Sequence, residues 1–219
     1  MAKHFQKELD KLKQRILALG AQVEDRLRLA GKAIESREIF DAERIIKSDH
    51  EIDAEEVEIE EECLKVMALY QPVAVDLRFL IATIKINSEL ERIGDEAVNI
   101  AWRVKTIIKK NASCDIMYDY TSMIEQAEVM LNSSLDALVN MDVDLAFRVL
   151  TLDDGVDQLH NTLYHQAMKD LKAHPDSVPY IVNLFWISRH LERIADHATN
   201  IAEEVIYLVE GEIVRHQKY

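Results

Sequence analysis

The segment ERIGDEAVNIA, Glu91 to Ala101, returns as ERIADHATNIA, Glu192 to Ala202, 101 residues further along a chain of 219. Each copy carries Glu, Asp and Asn at i, i+4 and i+8, a spacing that stacks the three side chains along one face of an α-helix. Recurrence of the whole phrase marks an internal duplication. The same helix therefore occurs twice with the same row of oxygen-bearing side chains: Glu91, Asp95 and Asn99, then Glu192, Asp196 and Asn200.

The duplication reaches upstream. SDHEID, Ser48 to Asp53, is echoed by LDDGVD, Leu152 to Asp157, so that Asp49 and Asp53 answer to Asp153 and Asp157 at an offset of 104 residues. A second carboxylate pair at i, i+4 thus precedes each Glu/Asp/Asn row by about the length of one helical hairpin. The offset slips by three residues between the motifs, where Pro72 in the first half and Pro175 and Pro179 in the second mark turns.

Five Gly, three Pro and 30% charged residues leave little material for turns and favour long helices. Apolar residues recur at steps of three and four from Phe5 through Leu9, Leu12, Ile16, Leu19, Val23 and Leu27 to Ile34, which predicts one long amphipathic helix. Further helices are predicted from about Ile39 to Leu69 and Val73 to Lys109, then from about Met117 to Val139, Val143 to Lys172 and Val178 to Val214. NASCD, Asn111 to Asp115, supplies the break between the halves. The expected fold is all-α: two tandem, pseudo-symmetric three-helix bundles of six long antiparallel helices, residues 1–112 and 113–219.

A formal charge of −14 repels nucleic acid and anionic membrane, and no basic patch offsets it. The apolar stretch VPYIVNLFWIS is too short to span a bilayer, and the charged start MAKHFQKELDKLKQ has no apolar core segment, so a cytoplasmic protein not embedded in a membrane is expected. Cys63 and Cys114 lack CxxC spacing and read as reduced structural thiols.

At about 100° per residue with Glu91 at zero, Asp95 falls at about 40° and Asn99 at about 80°, while the apolar stripe lies at about 180–240°. That places the acids on the face opposite the core, and the plain expectation for one such helix is a solvated charged surface. Duplication argues otherwise. Like charges at i, i+4 are each unfavourable by about 0.2–0.5 kcal/mol, and four carboxylates on adjacent helices repel further unless a multivalent cation binds them. Asp49 and Asp53 are expected to face Glu91 and Asp95, with Asn99 as a carbonyl donor; Asp153 and Asp157 are expected to face Glu192, Asp196 and Asn200. Iron, manganese, magnesium and zinc all suit such oxygen donors. Glu56 and Glu60 extend the first row, whereas their counterparts are His160 and Tyr164, so the two sites need not hold the same metal complement. His197 points about 100° away from Asp196 and is read as structural. Arg92 and Arg193 also repeat, as salt-bridge partners for nearby acids or, less favoured, as anion contacts.

On these residues, together with HFQKELDKLK at the start and QPVAVDLRFL from Gln71 to Leu80, the chain resembles the PhoU family of phosphate-transport regulators over nearly its whole length. The resemblance implies multinuclear clusters, iron or zinc in family members, at Asp49, Asp53, Glu91, Asp95, Asp153, Asp157, Glu192 and Asp196. It also implies negative regulation of the phosphate-starvation response through contacts with the ATPase subunit of a phosphate ABC importer and with a sensor histidine kinase, without a catalysed reaction. Asp76, Leu77 and Arg78 have no counterpart in the second half, so any role they have is one-sided.

Two rival classes remain at this point. A ferritin-like carboxylate oxidase uses Glu-x-x-His pairs directed into a bundle core, and this chain has no ExxH. A metal-free helical scaffold is the other, separated by metal analysis. Self-association as a homo-oligomer is left open.

Overall fold

A computed structural model describes residues 2–109 and 116–214, and all regular elements among them are helical. Helices α1 (Ala2–Ser36), α2 (Ile39–Lys47), α3 (Asp49–Tyr70) and α4 (Ala74–Lys109) form the first half. Helices α5 (Thr121–Asn140), α6 (Val143–Ala173) and α7 (Val178–Glu210) form the second, with a short 3-10 turn at Pro175–Ser177 before α7. The expected all-α pair of three-helix bundles is what the chain adopts. Cys114 and the NASCD break lie outside the described residues.

Two local departures matter. The helix expected over Ile39–Leu69 is divided at Ser48, whose Oγ bonds the Ile45 carbonyl at 3.2 Å and whose own carbonyl accepts from Glu51 N at 3.1 Å and from the Arg26 guanidinium. The ladder bond that would carry α2 into α3 is thereby diverted. The helix expected from Met117 starts only at Thr121: Tyr120 is buried with its hydroxyl donating to the Leu184 carbonyl at 2.7 Å and its backbone at φ −107°, ψ 0°, outside helical geometry.

Helix ends follow local chemistry. Asp142 caps α6 by accepting from Leu145 N at 2.9 Å. Gln71 closes α3 in the left-handed conformation at φ 47°, immediately before Pro72, and Gly211 closes α7 at φ 78°.

The α1 stripe of Leu12, Ile16, Leu19, Val23 and Leu27 is buried as its period requires. Full burial of each such side chain contributes about 2 kcal/mol. One continuous apolar cluster runs through both halves. Its spine is α4 packed against α7, and these two are antiparallel: Lys85 meets Glu204 at one end, and Arg103 stacks over Trp186 at the other. Because α3 lies on α4 and α6 on α7, each acidic row faces a neighbouring helix. Buried Cys63 is a free thiol whose pKa burial pushes up to about 12, in keeping with a structural residue.

Candidate metal centre

In the first half, α3 presents Asp49 and Asp53 across the groove from Asp95 on α4. One carboxylate oxygen of each lies within 4.8 Å of the others. Glu91, one turn before Asp95, completes the set. Burial first, then the charges of Asp95, Asp53 and Glu56, push Glu91 up to about 7. Asp49 and Asp95 are raised for the same reasons, burial foremost and neighbouring acids next. Glu56 extends the row as expected, its own pKa raised by burial and by Glu60 and Asp53.

The second half repeats the plan on α6 and α7. Burial and the charges of Asp196, Asp157 and Asp154 push Asp153 up to about 6, and burial with Asp196 pushes Glu192 up to about 7. Asp196 is raised by burial and by Asp157. Glu192 is 8% exposed; one carboxylate oxygen accepts from Arg189 at 2.5 Å, and the other has no hydrogen-bond partner. Where Glu56 and Glu60 extend the first row, His160 bonds Ser188 at 3.1 Å and stacks on Phe185, with Tyr164 against the same ring. An acidic extension on one side is thus an aromatic patch on the other.

The expectation of a fully outward face needs correction. Asp49, Glu91, Asp153 and Asp196 are half-buried and Glu192 is buried, because each row faces the preceding helix of its hairpin. The two asparagines also have another employment: Asn200 donates its amide to Glu89 at 3.0 Å, and Asn99 bonds Glu96. At about 80° on the wheel, each sits between the acid row and the α4–α7 seam.

That seam carries side chains the spacing argument passed over. His190 pairs with Glu96 at 2.6 Å and His197 with Glu89 at 2.7 Å, each histidine using Nδ1. The repeat relates Glu89 to His190 and Glu96 to His197, so the two contacts are copies of one another about the pseudo-two-fold axis. Burial opposes ionisation of Glu96 and Glu89. Their histidine hydrogen bonds and charges outweigh it and hold both below the usual carboxylate range. Arg193 joins Glu96 at 2.6 Å, the salt bridge expected of it, and His197 is a seam residue, as expected of a structural histidine. A helical wheel shows the missed signal: Glu89 and Glu96 fall at about 160° and 140°, beside the apolar stripe.

The geometry is that of two copies of one acid-lined groove on paired hairpins. The family model for the PhoU domain matches the chain twice, over residues 16–104 and 120–205. The chain belongs to the PhoU family. It is 39% identical over 211 residues to a phosphate-specific transport system accessory protein PhoU homolog of Aquifex aeolicus, covering 96% of this chain and 95% of that one. The crystal structure of PhoU from Pseudomonas aeruginosa superposes with a TM-score of 0.89 at 35% identity, covering 95% of this chain and all of that one. The phosphate transport system regulatory protein PhoU from Streptococcus pneumoniae gives a TM-score of 0.87 at 32% identity, over 96% and 99% of the two chains. Both PhoU domain matches contain an acidic groove, the first spanning Asp49 to Asp95 and the second Asp153 to Asp196.

The donor set fits a hard or borderline cation on physical grounds of its own. Asp153 Oδ1 and Glu192 Oε2 are buried oxygens without a hydrogen-bond partner among the described residues, whereas Asp49 Oδ1, which also lacks a hydrogen bond, has the Arg26 guanidinium at 3.6 Å as its ion-pair partner. An orphaned anionic oxygen in a groove shared with three other carboxylates is costly, and a cation satisfies it.

Proposed function

We propose that this chain is a metal-binding accessory and regulatory protein of phosphate transport. The observation that carries the metal half of this reading is an acidic groove built twice by one helical plan: in the first, carboxylate oxygens of Asp49, Asp53 and Asp95 lie within 4.8 Å of one another, and in the second, buried oxygens of Asp153 and Glu192 have no hydrogen-bond partner. Asp49, Asp53, Glu91 and Asp95 would hold one cation cluster, and Asp153, Asp157, Glu192 and Asp196 the other; iron and zinc suit the set, as do manganese and magnesium. Bound cations supply the positive charge that lets four acids share each groove. The chain's own residues orient the ligands, with Arg189 on Glu192 and Arg26 on Asp49.

The regulatory half rests on the relatives, which are named as phosphate-specific transport accessory proteins. The protein acts in the cytoplasm by contact, restraining the phosphate-starvation response through the importer's ATPase subunit and a sensor histidine kinase. Among the described residues no helix is long and apolar enough to cross a membrane. With a net charge of −14, its docking is sensitive to ionic strength. Deletion of the gene should leave starvation-responsive transcription switched on in phosphate-replete medium. Purified chain should retain the ATPase subunit or the kinase's cytoplasmic portion in a pull-down that weakens as salt rises. Unaltered transcription in the deletion strain, with neither partner retained at micromolar concentration, would overturn the regulatory reading.

A further inference from the structure

The two grooves share their carboxylates but not what lies beneath them. Arg26 on α1 is 6% exposed, and its guanidinium donates to the carbonyl oxygens of Ser48 and Asp49, touches Ser48 Oγ at 3.3 Å and pairs with the Asp49 carboxylate at 3.6 Å. Asp49, Glu51, Asp53 and Asp95 all attract it. In the second half the helix equivalent to α1 is α5, and its twenty residues, TSMIEQAEVMLNSSLDALVN, contain no Lys or Arg. The cations at that groove are Arg189 and Arg193 on α7, rim residues whose side chains are 41% and 45% exposed; Arg189 binds Glu192, and both act on Asp196.

The repeat itself records this difference. ERIGD in the first copy is ERIAD in the second, so Gly94 answers to Ala195. A Cβ at Gly94 would stand 3.1 Å from Ile52 Cδ1 and 3.7 Å from Arg26 Nη1, so the smaller residue occurs where Ile52 and the guanidinium pack against the helix. The helix break at Ser48, held by the same guanidinium, has no equivalent in α6, which runs unbroken through Asp153. Finally, among the described residues the acids that close within 4.8 Å of one another are Asp49, Asp53 and Asp95, those above Arg26. A fixed unit charge in a partly desolvated site offsets repulsion among the acids, and it opposes an entering divalent cation with twice the force of a monovalent one.

We propose that Arg26 is an internal counter-ion of the first groove: it lets Asp49, Asp53 and Asp95 converge before a cation arrives and weakens divalent cation binding there, a buried control that the second groove, whose cations lie on its exposed rim, lacks. The proposal rests on the metal-binding reading of both grooves. Arg26 acts through Asp49 and the Ser48 carbonyl, as a positioning residue with no contact to the cation required.

The test uses full-length chain and Mn²⁺, with one groove disabled at a time: Asp196→Asn isolates the first groove and Asp95→Asn the second. Arg26→Gln keeps a hydrogen-bond donor for Ser48 and removes the charge; Arg26→Lys keeps the charge. Free Mn²⁺ is followed by electron paramagnetic resonance, and circular dichroism verifies folding, with Arg26→Met read instead if the glutamine variant does not fold. In the Asp196→Asn background, Arg26→Gln should bind Mn²⁺ about tenfold more tightly and Arg26→Lys within about twofold of Arg26. In the Asp95→Asn background neither should alter affinity. If the parent variants bind Mn²⁺ but Arg26→Gln binds no more tightly, or if Arg26→Lys behaves as Arg26→Gln does, the counter-ion assignment is overturned alone. If neither parent variant binds Mn²⁺, the metal-binding reading falls and this inference with it.

Discussion

Replacing Glu91 with Gln should change stability in opposite directions with and without metal. In the metal-free protein Glu91 has its pKa pushed from an ordinary 4.5 to about 7 by burial and by Asp95, Asp53 and Glu56. That gap corresponds to at most about 3 kcal/mol of preference for the neutral carboxyl. Glu91 is only half-buried, so solvent screening reduces the figure to about 1 kcal/mol. Gln is neutral and of similar shape, and at pH 8 it relieves the strain of the ionised acid. The metal-free variant should therefore melt about 2–4 °C above the parent at pH 8. At pH 5 the folded parent already carries a protonated Glu91, and the advantage should shrink towards zero. With saturating Mn²⁺ at pH 8 the order should invert, since the variant has lost a ligand and the stabilisation that binding confers by mass action. The assay is thermal unfolding by circular dichroism in chelator and in Mn²⁺ at both pH values. If Glu91→Gln melts below the parent in chelator at pH 8, the groove is not electrostatically strained and the reasoning is refuted.

Across pH, the metal-free parent should become less stable between about pH 4.5 and 7, because unfolded carboxyls lose their protons near 4.5 while folded Glu91 and Glu192 hold theirs to about 7, so the native state binds the extra protons over that window. Asp153, held up to about 6, adds to the lower part of that range, and urea midpoints in chelator that rise from pH 5 to pH 7.5 would contradict this. Glu96→Gln should cost about 3 kcal/mol at neutral pH, because it leaves His190 and Arg193 facing an uncharged amide in a buried seam, and a loss below 1 kcal/mol by urea unfolding would show that the pair is not structural. Gly94→Ala should lower stability by about 1 kcal/mol through the 3.1 Å approach to Ile52, read by the same assay, with a neutral result meaning that Ile52 repacks freely.

Most of the architecture was legible because the apolar residues of α1, α4 and α7 recur with helical period and every half repeats the plan. The eight carboxylates were legible for a related reason: duplication lifted them above the background of 40 acidic residues. What escaped has a common physical cause. The break at Ser48 depends on a guanidinium 22 residues earlier in the chain, and IIKSDHEID contains neither Gly nor Pro to announce it. Arg26 itself has no copy in the second half, so a search for repeats passes over it. The His190–Glu96 and His197–Glu89 pairs are repeated, yet each position changes from acid in one copy to histidine in the other. Compared like with like they read as mismatches, and only the antiparallel crossing of α4 and α7 reveals them as one contact made twice. The asparagines were expected as carbonyl donors to the groove, and what the spacing did not reveal is that their amide N–H groups donate to the seam acids Glu96 and Glu89.

The central claim is that both grooves hold multivalent cations through their carboxylates. Elemental analysis of untagged protein, purified in parallel with the Asp95→Asn, Asp196→Asn and doubly substituted forms, tests it most directly. Tightly bound metal should be present in the parent, fall by about half in each single variant as expected of two independent sites, and be nearly absent from the folded double variant. Full metal content in the double variant, or none in a parent purified from metal-replete cells, would contradict it.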